Sequence, residues 1–498
     1  MDLFNNLIFG FAVAVTLQNL LYCFVGVLVG TLIGVLPGIG PLATIAMLLP
    51  LTFNVPPVAA LIMLAGIYYG AQYGGSTTAI LVNLPGETGS VVTCIDGYQM
   101  ARQGRAGPAL AIAALGSFFA GTVGTLLIAL FGPPLAEVAL RFGAPEYFSL
   151  MLMGLVAAAV LSQGDMVKSL AMVAMGLLLG IIGNDVNTGV GRFTFGINEL
   201  TDGIGFVVVA VGVFALGEII SNLGEKGERQ VFTSKVTNLF PTRDDLRRSF
   251  GAIVRGTGIG AFFGVLPGTG PAIAALSSYM IEKKIADDPS RFGRGAIEGV
   301  AGPEAANNAD AQCKFIPMLT LGLPASGVMA LMLGALTIQG IQPGPTVMTQ
   351  KPELFWGLIA SMWIGNLMLV VLNLPLIGVW VKLLSVPYRL LFPAIMAFSA
   401  IGIYSVNNSA FEIYLTALFG VLGFVWMRLG FSPAPMLLGF VLGPMMEENL
   451  RRAMLMSRGD PTVFFTRPIS AGFIIATVLI VIAMAAPGIR KRYGEMAG

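Results

Sequence analysis

Charge is what this sequence has least of. Only 11% of its 498 residues are Asp, Glu, Lys or Arg, against 56% apolar residues, and the mean hydropathy is +0.83. A soluble domain carries about 25% charged residues, so a water-facing surface of this size cannot be built from them. Histidine is absent, which removes the commonest general base and the commonest metal ligand. The three cysteines, Cys23, Cys94 and Cys313, lie far apart with no Cys-x-x-Cys pair, so neither a disulfide framework nor a metal site is indicated. An intramembrane enzyme would need a positioned Asp pair, a metal cluster or a Ser with a base. None is legible, and the expectation is no enzyme. The start, MDLFNNLIFG, lacks the basic region of a cleaved signal peptide, so the first apolar stretch is expected to stay in the mature protein.

What the sequence has in abundance is apolar runs, glycine (64) and proline (29). Runs long enough to cross about 30 Å of hydrocarbon lie near 18–36, 56–74, 107–131, 145–163, 166–183, 205–222, 354–381, 388–404, 411–427 and 469–486. Shorter or interrupted pieces lie at 42–54, 75–95, 251–266, 271–282, 300–320, 325–342 and 433–446. This is the pattern of an all-α, polytopic membrane protein of about 10–12 transmembrane helices with broken or re-entrant half-helices. Basic residues mark cytoplasmic loops. Loop 223–250 holds Lys226, Arg229, Lys235, Arg243, Arg247 and Arg248, and the tail holds Arg490, Lys491 and Arg492. Both are expected inside, with the C-terminus cytoplasmic, as is the loop with Arg102 and Arg105. Loop 184–204 carries Asp185, Glu199 and Asp202 against Arg192 alone, and is expected outside.

One motif occurs twice. Gly34-Val-Leu-Pro-Gly-Ile-Gly-Pro41 recurs as Gly264-Val-Leu-Pro-Gly-Thr-Gly-Pro271, with Gly26 and Gly30 matched upstream by Gly256 and Gly260. Downstream, Leu84-Pro85-Gly86 corresponds to Leu323-Pro324-Ala325 with a small insertion. The division expected is a first transmembrane repeat over 1–222, a cytoplasmic linker over 223–250 and a second repeat over 251–498. Gly at every fourth position lets another helix backbone approach. Pro37 and Pro267 cannot donate to a helix ladder, whereas Pro41 and Pro271 suit the first turn of a new helix. Each copy therefore predicts a helix that stops inside the membrane and another that starts there. Such breaks survive only where they are buried in protein or line a cavity, and in repeated halves they point to a transporter's central site. Inverted repeats, with the two breaks face to face near the midplane, are the expected arrangement. The lone cation Lys351 in the loop near 343–353 places that loop outside, opposite Arg102 and Arg105.

Helices starting near Leu42 and Ala272 would offer free N–H groups and about half a positive charge each, an anion site made from backbone. The expected substrate contacts are Gly38, Gly40, Ser76, Thr77, Thr78 and Asn83 in the first half, and Gly268, Thr269, Gly270 and Ser326 in the second. Asn307, Asn308, Asp310 and Lys314 are expected to supply a cation site or counter-charge; Asp310 and Lys314, four apart, share a helix face. Glu87 and Glu304, each beside Pro or Gly at a break, admit both a functional and an interfacial reading.

At these residues the sequence resembles the large membrane subunit (TctA type) of the tripartite tricarboxylate transporters. The resemblance rests on Gly34–Pro41, Tyr69-Gly-Ala-Gln-Tyr-Gly-Gly-Ser-Thr-Thr78, Asn83-Leu-Pro-Gly86 and Asp96-Gly-Tyr-Gln-Met-Ala-Arg-Gln-Gly-Arg105. In the second half it rests on Gly264–Pro271, Pro303-Glu-Ala-Ala-Asn-Asn308, Leu319-Thr-Leu-Gly-Leu-Pro324 and Gln342-Pro-Gly-Pro345. It implies the translocation subunit of a bacterial inner-membrane uptake system driven by an ion gradient, with sodium as coupling ion and no other cofactor. It also implies two protein partners, a small four-helix membrane subunit and a periplasmic solute-binding protein that delivers a tricarboxylate or related organic anion. Nucleic acid is not an expected partner. The absence of Gly-x-x-x-x-Gly-Lys-[Ser/Thr] agrees with the lack of ATP chemistry. Asp310, Lys314 and Ala325 depart from the family pattern and leave the particular carboxylate open. A channel, or a structural subunit of a membrane complex, is the alternative reading.

Overall fold

Helices dominate because apolar chain in lipid has to satisfy every backbone group within itself. The computed structural model describes residues 3–36, 40–161, 165–185, 188–223, 239–383 and 408–485, with isolated positions between 393 and 404. Pro37, Gly38 and Ile39 of the first motif, most of the expected span 388–404, the loop cations Lys226, Arg229 and Lys235 and the tail cations Arg490, Lys491 and Arg492 lie outside the described residues. The fold is all-α; among the described residues, β-structure is confined to the short pair Gly183–Asn184 and Gly191–Arg192. Four described helices are long and apolar enough to cross a membrane: Leu17–Val35, Ala106–Ala139, Pro352–Asn373 and Ala410–Arg428. Only 22% of the apolar window of Ala410–Arg428 is buried, so most of its surface is free to meet lipid.

The helices that carry the site come in two sets. In the first, α1 (Leu3–Ala14) precedes α2 (Leu17–Val35), which runs to the first break; α3 (Pro41–Leu48) starts after it. Then follow α4 (Pro57–Val82), α5 (Val91–Arg102), α6 (Ala106–Ala139), α7 (Ala144–Leu161) and α8 (Met166–Gly180). The helical run 206–223 (α9, Phe206–Ala210; α10, Gly217–Leu223) contains a π-helical stretch at Val211–Leu216. In the second set, α11 (Arg243–Val265) runs to the second break and α12 (Pro271–Ile285) starts after it. It continues with α13 (Glu298–Cys313), α14 (Phe315–Leu321), α15 (Gly327–Ile338), α16 (Thr346–Gln350) and α17 (Pro352–Asn373). The polar first turn of α11, capped by the Thr242 hydroxyl on the Asp245 N–H, falls within the stretch expected as linker.

The glycine ladders explain which helices pair. A Cβ on Gly26, Gly30 or Gly34 of α2 would lie 2.3, 2.5 or 2.3 Å from the carbonyl oxygens of Met63, Ile67 and Ala71 of α4. On Gly256, Gly260 or Gly264 of α11 it would lie 2.3, 2.1 or 2.6 Å from those of Gly302, Ala306 and Asp310 of α13. Only glycine permits such backbone approach. The contacts also align the halves: the offset from Gly26 to Gly256 is 230, and from Met63 to Gly302 it is 239. The same 239 relates Asn83 (φ 56) to Gly322 (φ 68), left-handed residues that end α4 and α14. It also relates the next two caps, Glu87 and Ser326. Nine extra residues therefore sit between Pro271 and Gly302. There the connection 286–297 folds over α5, and the N–H groups of Gly293, Gly295 and Ala296 donate to Asp96 Oδ1 at 2.9, 2.7 and 2.9 Å.

Candidate functional site

The Leu-Pro loop of each half packs against described residues that flank or form its break. Gly86 packs against the end of α2, where a Cβ would meet the Gly34 oxygen at 2.0 Å, and the Thr78 hydroxyl lies 3.2 Å from that oxygen. In the second half the Gly268 N–H donates to the Ala325 carbonyl at 3.0 Å. Gly268 is left-handed (φ 80), and a Cβ there would lie 2.4 Å from Ala158 of α7, so both conformation and space demand glycine.

The two new helix ends differ in what faces them. Gly40, at the N-cap of α3, donates its N–H to Glu218 Oε1 at 3.2 Å. The chain's own carboxylate thus occupies the first helix end, held out by the helical turn that follows the π-helical stretch. Gly270, at the N-cap of α12, has no side-chain cap, and a Cβ on it would have nothing within 4 Å. A side chain at this position would therefore project into open space.

Most hydroxyls expected at the breaks are committed to the backbone in this conformation. Thr269 Oγ1 donates to Phe263 O at 2.6 Å and Leu266 O at 2.8 Å, tying off the last carbonyls of α11. Ser326 caps α15 through the Met329 N–H at 3.3 Å, and Asn83 ends α4 by its left-handed backbone. Gly38 is outside the described residues. Ser76, Thr77, Asn307 and Asn308 are brought together elsewhere, where α4, α6 and α13 meet the loop before α5.

That meeting point is a buried polar cluster built around two carboxylates. Glu304 is fully buried and Glu87 is 6% exposed, so both acids are enclosed by protein. Glu304 accepts from Ser76 Oγ at 2.5 Å and from the Thr93 hydroxyl. Glu87 accepts from Asn307 Nδ2 at 2.9 Å and from the Gly89 N–H at 2.8 Å. Gln72, with its amide nitrogen turned toward the carboxylate, reaches both Glu87 oxygens at 2.9 and 3.0 Å. Asn308 donates to Ser117 Oγ of α6 at 2.7 Å. First-half hydroxyls hold Glu304, and donors from both halves hold Glu87, yet among the described residues neither acid forms an ion pair with Lys or Arg. Pro303, inside α13, has no N–H to give the helix ladder, and Glu304 follows it directly.

Asp310 and Lys314 form a fully buried ion pair further along, with Asp310 Oδ1 and Gln312 Oε1 left without donors. Their first-half equivalents by the 239 offset are Ala71 and Gly75, so this pair belongs to one half only. Sequence reasoning missed Glu218, Thr93 and Ser117 as site residues. Glu218 did carry a signal, since an ionisable residue inside an apolar run marks a functional position. Ser117 carried none, being a single polar residue in a long span.

Two relatives from Agrobacterium vitis are similar to this chain. An uncharacterised 52.8 kDa protein in the TAR-I ttuC′ 3′ region is 60% identical over 492 residues, covering 99% of this chain and 98% of the relative. An uncharacterised protein in the TAR-II ttuC′ 3′ region is 59% identical over 237 residues, covering 48% of this chain and 98% of the relative. No solved structure matches. The family described as the tripartite tricarboxylate transporter TctA family matches residues 20–438, a stretch that takes in both breaks, both Leu-Pro loops and the two buried carboxylates. With both copies of its repeated motif inside that stretch, the chain belongs to the tripartite tricarboxylate transporter TctA family.

Proposed function

We propose that this chain is the inner-membrane translocation subunit of a sodium-driven uptake system for a tricarboxylate or related organic anion. Its partners are a periplasmic solute-binding protein, which delivers the anion, and a small four-helix membrane subunit. The division into repeats at 1–222 and 251–498, joined by 223–250 and inverted relative to each other, is part of the same reading. The observation that carries it is the Glu218 carboxylate hydrogen-bonded at Gly40, with the motif-equivalent Gly270 having free space at its Cβ position. A broken helix end that accommodates a carboxylate from the chain can accommodate one from a substrate, because its N–H groups and dipole recognise the charge rather than its source.

The test is uptake of labelled di- and tricarboxylates into proteoliposomes containing the complete transporter and its binding protein. Uptake should require an inward sodium gradient and collapse with a sodium ionophore. Gly270→Leu should abolish uptake while the chain still inserts, because the side chain fills space that no protein atom uses. Normal transport by this variant would remove the substrate from the second break. Passive equilibration without accumulation would favour a channel.

A further inference from the structure

The buried carboxylates pose a charge problem. An uncompensated charge in a low-dielectric interior costs several kcal/mol, and an intramembrane acid calls for a named partner. Among the described residues no Lys or Arg pairs with Glu87 or Glu304, and neutral donors meet all four carboxylate oxygens. Glu87 is fully engaged by Asn307, Gln72 and Gly89, and it also caps the turn Thr88–Ser90. Glu304 is different: both its donors are hydroxyls, and one of them, Ser76, lines a cavity.

That cavity, of about 10 Å³, lies between α4, α6 and the end of α17, and its polar wall is Tyr73, Ser76, Thr77, Ser117 and Asn373. Room for one water-sized centre starts at about 10–15 Å³, so the space suits a single small species. Asn373 is 4% exposed; its Nδ2 donates to Leu369 O, while its Oδ1 is buried without any donor. Thr77 is 3% exposed and its hydroxyl makes no hydrogen bond among the described residues. The wall therefore holds an orphan carbonyl oxygen and an unused hydroxyl oxygen, with a carboxylate one hydrogen bond behind. Oxygen-rich surroundings with a net negative charge select a cation.

We propose that this cavity is the binding site for one monovalent cation. Ser76, Thr77 and Asn373 are its oxygen ligands and Glu304 its counter-charge. The proposal rests on the reading of the subunit as sodium-driven, and it gives the coupling ion a place apart from the broken helix ends. It also gives Ser76 and Thr77 a role other than substrate contact. Because Ser76 belongs to the first half and Glu304 to the second, occupancy would tie the two halves together.

The experiment is equilibrium binding of radioactive sodium to the purified full-length chain in detergent, with choline replacing sodium in controls. Wild type should bind one sodium per chain saturably, and sodium should raise its melting temperature. Glu304→Gln should lose saturable binding, and Asn373→Ala should weaken it at least tenfold. Each variant should melt in choline within a few degrees of wild type and lose the sodium-induced rise, which separates ligand loss from misfolding. Gly270→Leu should keep sodium binding while losing uptake. Wild type that binds no sodium, or Glu304→Gln that binds it as wild type does, overturns the site. Uptake driven by a proton gradient with no sodium binding also overturns it. Saturable sodium binding lost in Glu304→Gln, with uptake intact in Gly270→Leu, sinks the substrate reading and leaves the cation site standing.

Discussion

At the scale of single residues, glycine separates packing from chemistry. Gly260 and Gly258 lie on the same helix, two residues apart. A Cβ on Gly260 would stand 2.1 Å from the Ala306 oxygen, whereas one on Gly258 would meet nothing within 4 Å. Gly260→Ala should force α11 from α13 and cost about 1–3 kcal/mol as an overpacking defect. Gly258→Ala should be neutral or slightly stabilising through helix propensity. Melting temperatures of the two purified variants check the contrast, and equal losses would refute it. Asp245 is a second single-residue case, at the polar entry of α11. Burial pushes its carboxyl up, but the Thr242 N–H, the Arg105 guanidinium and the Thr242 hydroxyl outweigh that and hold it below the usual range. A depressed carboxyl stabilises the fold above its unfolded value, about 3.9, and loses that contribution as pH falls through the folded value. Arg105→Ala, by bringing the folded value back towards the unfolded one, should therefore lower stability near neutral pH and leave less to lose on acidification, so that variant and wild type converge at low pH. The effect should be under about 1 kcal/mol because the Arg105 side chain is half exposed, and melting curves between pH 3 and 7 would show it.

At the scale of elements, the breaks were legible because Pro and Gly act locally. Pro41 and Pro271 do open new helices, and Gly40 and Gly270 do precede them. The Glu87 and Glu304 cluster was half legible. Each acid beside a Gly or Pro stood out in an apolar background, but that Ser76, Thr93 and Asn307 would converge on them depends on the register of α4 against α13. Short sequence spacing carries no information about pairings more than 200 residues apart. The fates of Thr269 and Ser326 were hidden for another reason. A hydroxyl at a helix terminus serves a backbone group as readily as a ligand, and only the folded geometry decides which. The insertion was legible from the Leu-Pro loops, and the partner helices, which share the offset of 239, locate its nine residues before Gly302. Those residues clasp Asp96, so Asp96→Ala, by freeing three backbone N–H groups, should raise protease cleavage within 286–297. Unchanged cleavage would deny the clasp.

At the scale of the whole molecule, a membrane protein followed from composition, because 11% charge cannot clothe a soluble protein of this length, and the all-α fold followed from the apolar runs. The orientation of the halves was legible only through loop charge. Arg102 and Thr349 are exposed near the ends of corresponding regions, and cysteines placed there in a background lacking Cys23, Cys94 and Cys313 should label from opposite sides of the membrane. Labelling from one side would end the proposal of inversion. The buried charges also divide unequally: Asp310 and Lys314 balance each other, while Glu87 and Glu304 have no basic partner among the described residues. A duplicated frame thus carries chemistry that is not duplicated, with hydroxyls from one half and acids contributed by both.

The Glu218 side chain at Gly40 has one more consequence. A group fixed to the chain competes at an effective concentration on the order of millimolar, so any free carboxylate seeking that helix end faces a resident rival that dilution cannot remove. If the first helix end receives a substrate carboxylate as proposed, its affinity is set by exchange and not by filling an empty seat. On that reading Glu218→Gln, which weakens the rival without removing its bulk, should tighten the capture of external anions and slow their release.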